Sequence, residues 1–176
     1  MIAKKFYIIL IILSISLTSC TFRKSVETEL YEGKLLTIGI IGEIPTVREK
    51  NISFNKLNFV DLHDDLNSKY DAIFITKENL SKAADSEFLA VYKSSNIPFF
   101  FIQSTKGYIP FIEEGLSYED ASEFSDGSYI TGLYYGKDIH WTFNLYNDIE
   151  NSKNIEEVYS RVFTIISKIA DSTYLQ

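Results

Sequence analysis

Cysteine occurs once in this 176-residue chain, histidine only twice, and no basic run extends beyond Arg23-Lys24. Each scarcity excludes something. A single cysteine leaves no disulfide pair, so the fold must rest on its apolar core, which a domain of about 140 residues can supply without staples. A formal charge of -7 without basic clusters argues against nucleic acid as a partner, because such a surface repels phosphate backbones. No serine lies in a Gly-x-Ser-x-Gly elbow, and Gly39-x-x-Gly42 is too short for either phosphate-binding fingerprint. No cofactor is therefore expected. Repeats and low-complexity stretches are absent as well, and no uninterrupted apolar run reaches the twenty or so residues of a spanning helix.

What is present begins at the first residues. Lys4-Lys5 leads into the apolar run Phe6 to Leu17, followed by Leu17-Thr18-Ser19-Cys20. A basic start, about a dozen apolar residues and small residues before a cut follow the layout of an export signal. Leu17-Thr18-Ser19-Cys20 resembles the lipobox of bacterial lipoprotein precursors. That resemblance implies a diacylglyceryl group on the Cys20 thiol, cleavage of residues 1–19, and a mature chain starting at Cys20. It also accounts for a lone thiol in an exported protein. Two acyl chains suffice for stable anchoring in a bilayer, where one is marginal. The implied location is the extracytoplasmic face of the cell membrane. The Ile-, Lys-, Asn-, Phe- and Tyr-rich usage is similar to that of small lipoproteins of low-GC Gram-positive bacteria, a likeness that brings no activity with it.

Loss of residues 1–19 removes Lys4 and Lys5 and no acid, so the formal charge moves from -7 to -9. Attachment must then come from the lipid, since an acidic domain is repelled by anionic headgroups. Thr21 to Lys34 is polar and contains Glu27, Glu29 and Glu32, which reads as a tether spanning at most about 46 to 50 Å. The expected organisation is a signal over 1–19, an acylated cysteine and tether over 20–34, and one domain over 35–176.

Leu35 to Ile41 is a continuous apolar run bounded by Gly33 and Gly42, the signature of a buried strand. Lys56 to Leu62 is a weaker strand candidate, and Asp71 to Thr76 and Ile97 to Gln103 are strong ones. Glu78 to Ser94 carries Leu80, Ala83, Ala84, Phe88 and Val91 at helical spacing, and so does Asn154 to Ala170 with Ile155, Val158, Val162, Phe163 and Ile166. Asn154 with Glu157 resembles a capping box. Between them, Gly127 to Tyr146 reads as an antiparallel hairpin turning at Gly136-Lys137-Asp138, placed at a sheet edge. Strands apolar on both faces and alternating with helices predict a small three-layer α/β domain. Its sheet is expected to be mainly parallel and doubly wound, flavodoxin- or Rossmann-like, with the C-terminal hairpin and a final amphipathic helix. It also looks like one lobe of a solute-binding protein, although a two-lobed receptor needs roughly twice this length.

In such a sheet, ligands approach outside the carboxyl ends of the strands. That rule selects Glu43 after the first strand, Asp61 and His63 after the second, Thr76 and Lys77 after the third, and Gln103 and Ser104 after the fourth. Asp61-Leu62-His63-Asp64-Asp65 is the densest titratable cluster, yet its spacing matches neither a calcium loop nor a zinc helix, so no metal site is expected. Asp64 or Asp65 reads more simply as a cap before Leu66. Aromatic residues make up 15% of the chain and concentrate in the hairpin, where Tyr134, Tyr135 and Trp141 are candidates for an interface. Tyr134 and Tyr135 point to opposite faces of a strand, so both cannot be core. His140, among aromatics, reads as a packed or surface imidazole. Glu113, Glu114, Glu119, Asp120, Glu123 and Asp126 read as a solvated acidic face.

The chain thus predicts a membrane-anchored envelope lipoprotein whose domain binds a ligand or partner without catalysing a reaction, and no catalytic residues are assigned. Two alternatives stand beside it: an envelope hydrolase built on Glu43, Asp61 and His63, and an assembly protein using the aromatic hairpin.

Overall fold

The computed structural model describes residues 28–63, 65–123 and 127–171. The expected signal, Cys20, and the acids Asp64 and Asp126 lie outside these residues. Six strands form one sheet: β1 (Leu36–Ile41), β2 (Ile52–Lys56), β3 (Ala72–Ile75), β4 (Phe99–Ile102), β5 (Ser128–Tyr134) and β6 (Ile139–Asn144), in the order β2-β1-β3-β4-β5-β6. Helices α1 (Leu80–Ala83) and α2 (Ser86–Ser94) lie between β3 and β4, and α3 (Ser152–Ala170) ends the domain.

The central strands carry no polar face because both of their faces are covered. Ile38, Ile40, Phe74, Phe100 and Phe143 pack with Val158, Tyr159, Val162, Phe163 and Ile166 of α3. Ile73, Ile75, Phe99 and Phe101 pack the other way, with Leu80, Ala83, Phe88, Tyr92 and Phe111. Each such side chain contributes about 1.5–3 kcal/mol by leaving water. Tyr92 sits so deep that burial pushes its hydroxyl well above the usual tyrosine range, and that hydroxyl donates to Ala83 O at 2.8 Å.

The sheet is mixed, which corrects the expectation of a mainly parallel one. β2, β1, β3 and β4 run parallel, whereas β4 with β5 and β5 with β6 are antiparallel. A parallel neighbour needs a crossover long enough to return to the starting end of the sheet, usually a helix. Among the described residues only the β3–β4 connection holds α-helices; after β4 the chain has a 3-10 turn at Ile109–Phe111 and returns antiparallel. The β1–β2 connection, residues 42–51, contains no helix.

Four boundaries also differ from the sequence reading. The second strand is Ile52–Lys56 instead of Lys56 to Leu62, because Asn58 N–H donates to Asp61 Oδ2 at 2.7 Å and winds Phe59–Asp61 into a 3-10 turn. The helix expected over Glu78 to Ser94 breaks at Asp85, whose ψ of 136 starts a new helix. Asn151, not Asn154, caps α3: its side chain accepts from Asn154 N–H at 2.9 Å. Residues 28–34, expected as tether, pack on the domain. Tyr31 is 6% exposed, lies against Phe163 and donates from its hydroxyl to Lys34 O at 2.9 Å, while Asn51 Nδ2 donates to Gly33 O at 2.7 Å.

Candidate functional site

The carboxyl ends of β1, β3 and β4 share one side of the parallel half, but the structure distributes the expected residues among three local arrangements. At the end of β1 the backbone turns at Gly42 with φ of +113. Thr76 is buried there, and its hydroxyl reaches both Ile41 O and Glu78 Oε1, while Asn79 Nδ2 donates to Thr76 Oγ1 at 3.4 Å. The Glu78 carboxyl is held below the ordinary glutamate range by the Thr76 hydroxyl first, with its own and Glu43 backbone N–H groups adding to the effect against partial burial. This exposed carboxylate stands just beyond the carboxyl end of β3. Lys77 beside it is exposed.

A depressed folded value means that the contribution of Glu78 to stability is present above its unfolded value and is lost as pH falls through the folded one. Carbon-13 titration of the side chain should place Glu78 below the ordinary glutamate range, and Thr76→Val should move it back up. An unchanged midpoint in Thr76→Val would remove the hydroxyl as the cause.

The second arrangement lies beyond β2. Asp61 and His63 line a cleft of about 210 Å³ with Lys56, Asp65, Lys69 and Tyr70. Glu43 is exposed and pairs with Lys56 at 3.4 Å. Among the described residues no hydrogen bond joins His63 to Asp61 or Glu43, and one Asp61 oxygen already holds Asn58 N–H. A base held by an orienting acid requires the opposite commitment. The 3-10 turn after Asp65 lacks a side-chain cap.

The third arrangement follows β4. Gln103 adopts φ of +57 and donates from Nε2 to Glu150 at 3.3 Å. Ser104, fully buried, donates to Gly107 O at 3.1 Å, and Lys106 Nζ donates to Ala121 O at 2.8 Å. These bonds tie the long loop to the sheet.

The hairpin aromatics are largely structural. Tyr134 is 6% exposed and its hydroxyl donates to Asn96 O at 3.1 Å; Trp141 stacks on Phe100 at 6.0 Å. Tyr135 is exposed, with Lys93 5.5 Å above its ring.

A further opening lies elsewhere, between α3, β6 and the N-terminal arm. This groove of about 530 Å³ is lined by Thr28 and Glu29, by Thr142 and Phe143, and by Glu157, Ser160, Arg161, Thr164 and Ile165. The volume is in the range of small-molecule sites, about 300–1,000 Å³. Arg161 grips buried Glu157 at two points, Nε to Oε1 at 2.7 Å and Nη2 to Oε2 at 2.9 Å, and also donates to Asn144 O at 2.6 Å. Its guanidinium stands 5.9 Å over Phe143. Behind the groove, Arg48 donates to Ser160 Oγ at 2.6 Å, Ser160 donates to Glu49 Oε1, and Glu49 Oε1 accepts from Tyr31 N–H at 3.4 Å. Arg48 Nε and Glu49 Oε2 are buried without a partner among the described residues, an unmet demand that is uncommon for charged groups.

The groove offers recognition chemistry: hydroxyls that donate and accept, a half-exposed guanidinium held rigid by its carboxylate, and apolar surface from Phe143 and Ile165. Sequence reasoning passed over it. The signal was present on α3, where Glu157, Ser160, Arg161 and Thr164 recur at helical spacing beside the apolar stripe. No protein-family model matches the chain, and comparisons with curated proteins and with solved structures return no match.

Proposed function

We propose that this chain is an exported envelope lipoprotein, anchored through acylated Cys20, whose α/β domain is a noncatalytic binding module using the α3–β6 groove. The observation that carries the reading is the continuity from lipobox to groove. Leu17-Thr18-Ser19-Cys20 is followed closely by Thr28, which already lines the groove. The stretch from Cys20 to Thr28 spans at most about 26–29 Å, so an anchored domain holds the groove that close to the bilayer. The packed arm shortens the tether that the sequence alone suggested. An acidic surface keeps the domain off anionic headgroups, leaving the groove to an envelope ligand or protein. The parallel strand order β2-β1-β3-β4 supports reading that half as a reduced doubly wound sheet, flavodoxin-like in order though not in its crossovers.

The test fills the groove. Thr164→Trp places an indole among the lining residues, and the full-length protein in detergent is melted with soluble cell-wall fragments. Wild type is expected to gain stability, about 2.7 kcal/mol at a hundredfold excess over Kd. Thr164→Trp should melt near wild type alone and gain nothing from the fragments. Equal gains in both proteins would move the ligand to another surface.

A further inference from the structure

Arg161 is clamped on two of its three nitrogens and left open on the third. Nε and Nη2 hold both oxygens of Glu157 and Nη2 also reaches Asn144 O, whereas Nη1, with two N–H groups, has no partner among the described residues. The side chain is 41% exposed and lines the groove. A guanidinium fixed in this way has little freedom left to lose when it meets an oxygen, which favours binding. Glu29 lines the same groove from the arm. It is exposed, and among the described residues neither an ion pair nor a side-chain hydrogen bond engages it.

Charge narrows what fits between them. Among the described lining residues only Glu29, Glu157 and Arg161 are charged. Arg161 and Glu157 neutralise each other, and Arg48 with Glu49 behind Ser160 adds no net charge, so the site keeps the negative charge of Glu29 within an acidic domain. A ligand that is only anionic would meet Glu29 and the acidic surface, and one that is only cationic would leave the Arg161 corner without an oxygen. A zwitterion answers both. Peptide groups in particular suit the walls: Arg161 already takes the carbonyl of Asn144, and Arg48 takes that of Thr28 at 3.5 Å.

We propose that the groove takes a short peptide with free ends, its terminal carboxylate on Arg161 Nη1 and its terminal ammonium on Glu29. This names the ligand class of the groove and so rests on the binding reading given above. The volume of about 530 Å³ lies in the range that buries a drug-sized ligand, which is the size of a di- or tripeptide. Phe143 and Ile165 give apolar surface to its side chains, and Thr142 gives a hydroxyl to its backbone.

The experiment titrates the detergent-extracted full chain by calorimetry with trialanine, trialanine amide and acetyl-trialanine. Trialanine is expected to bind, and blocking either end should weaken it roughly tenfold, the loss of one hydrogen-bonded charge. Glu29→Gln, at an exposed residue, should bind trialanine and acetyl-trialanine nearly alike while still preferring the free carboxylate. Arg161→Gln should do the reverse. Because it strips buried Glu157 of its partner, its melting temperature is read beside it, and Glu29→Gln carries the decision if Arg161→Gln does not fold. Equal affinity for all three peptides, or a Glu29→Gln variant that keeps the full amine preference, overturns the proposal. So does an absence of trialanine binding, and if cell-wall fragments still stabilise wild type but not Thr164→Trp, the groove reading then stands without it. Trialanine bound equally by wild type and Thr164→Trp would put the peptide on another surface and overturn both readings.

Discussion

Phe163→Ala is expected to lower the unfolding free energy by about 3–5 kcal/mol, the range for emptying a buried phenylalanine site. Phe163 is fully buried at the centre of one core, with the rings of Tyr31, Phe74 and Tyr159 at 6.2 Å and Phe54 at 6.4 Å. These neighbours belong to four different pieces of chain: the arm, β3, α3 and β2. The cavity cannot collapse without moving one of them. Domains of this size hold about 5–15 kcal/mol in all, so the variant should sit near its limit. Urea unfolding followed by circular dichroism reads the loss as a lower midpoint at constant slope. Leu35→Ala, at a residue 66% exposed, should change stability by no more than about 0.5 kcal/mol. Equal effects from the two would mean that α3 and the arm are not packed as described. Because Tyr31 leans on Phe163, the arm should also become a protease target in Phe163→Ala and not in Leu35→Ala.

Gly42→Ala should be comparably costly for a different reason. At φ of +113 the backbone is in a region that side chains rarely adopt. A Cβ there would overlap Thr76 Oγ1 and lie 2.6 Å from Glu78 Oε1 and 2.8 Å from Asn79 Nδ2. Strain of about 1–3 kcal/mol adds to about 1–3 kcal/mol of overpacking. Pairing the change with Thr76→Ala, with Thr76→Ala alone as the reference, tells the two apart, since alanine removes the Oγ1 that the new Cβ would overlap. If strain dominates, Gly42→Ala costs as much beside Thr76→Ala as it does in wild type. A melt of Gly42→Ala within a degree of wild type would show that the β1 turn relaxes freely and that Glu78 is not locked in place.

Much of this architecture was legible in the residues, and the reasons are uneven. β1, β3 and β4 announce themselves because a strand covered on both faces has no polar alternation, as in Phe99-Phe100-Phe101. The apolar stripe of α3 and the turn at Gly136-Lys137-Asp138 were equally plain. β2 was misplaced because Ile52-Ser53-Phe54-Asn55-Lys56 is a half-exposed edge with little apolar content, while Leu57, Phe59 and Leu62 imitate a strand and instead plug the α1–α2 side. Strand direction is a tertiary property: nothing within Ser128 to Tyr134 distinguishes a parallel return from an antiparallel one. Tyr31, one aromatic in a polar stretch, gave no periodic sign that the arm is packed.

The site was the least legible part. The rule for parallel sheets placed seven residues near strand ends, and the structure puts them in three arrangements, with Thr76 and Ser104 buried in local hydrogen bonds. The groove joins residues from three distant stretches, Thr28, Thr142 and Ser160 among them, and no single window of sequence contains them. Only the polar stripe on α3 was available as a hint.

The central claim is attachment through Cys20, and the intact mass of the protein extracted from a bacterial membrane tests it most directly, beside Cys20→Ala from the same host. The account predicts a chain that begins at Cys20 and carries acyl mass, with Cys20→Ala neither cut at that bond nor acylated. An unprocessed, unacylated wild-type chain would contradict it, and the nearness of the groove to a bilayer would fall with it.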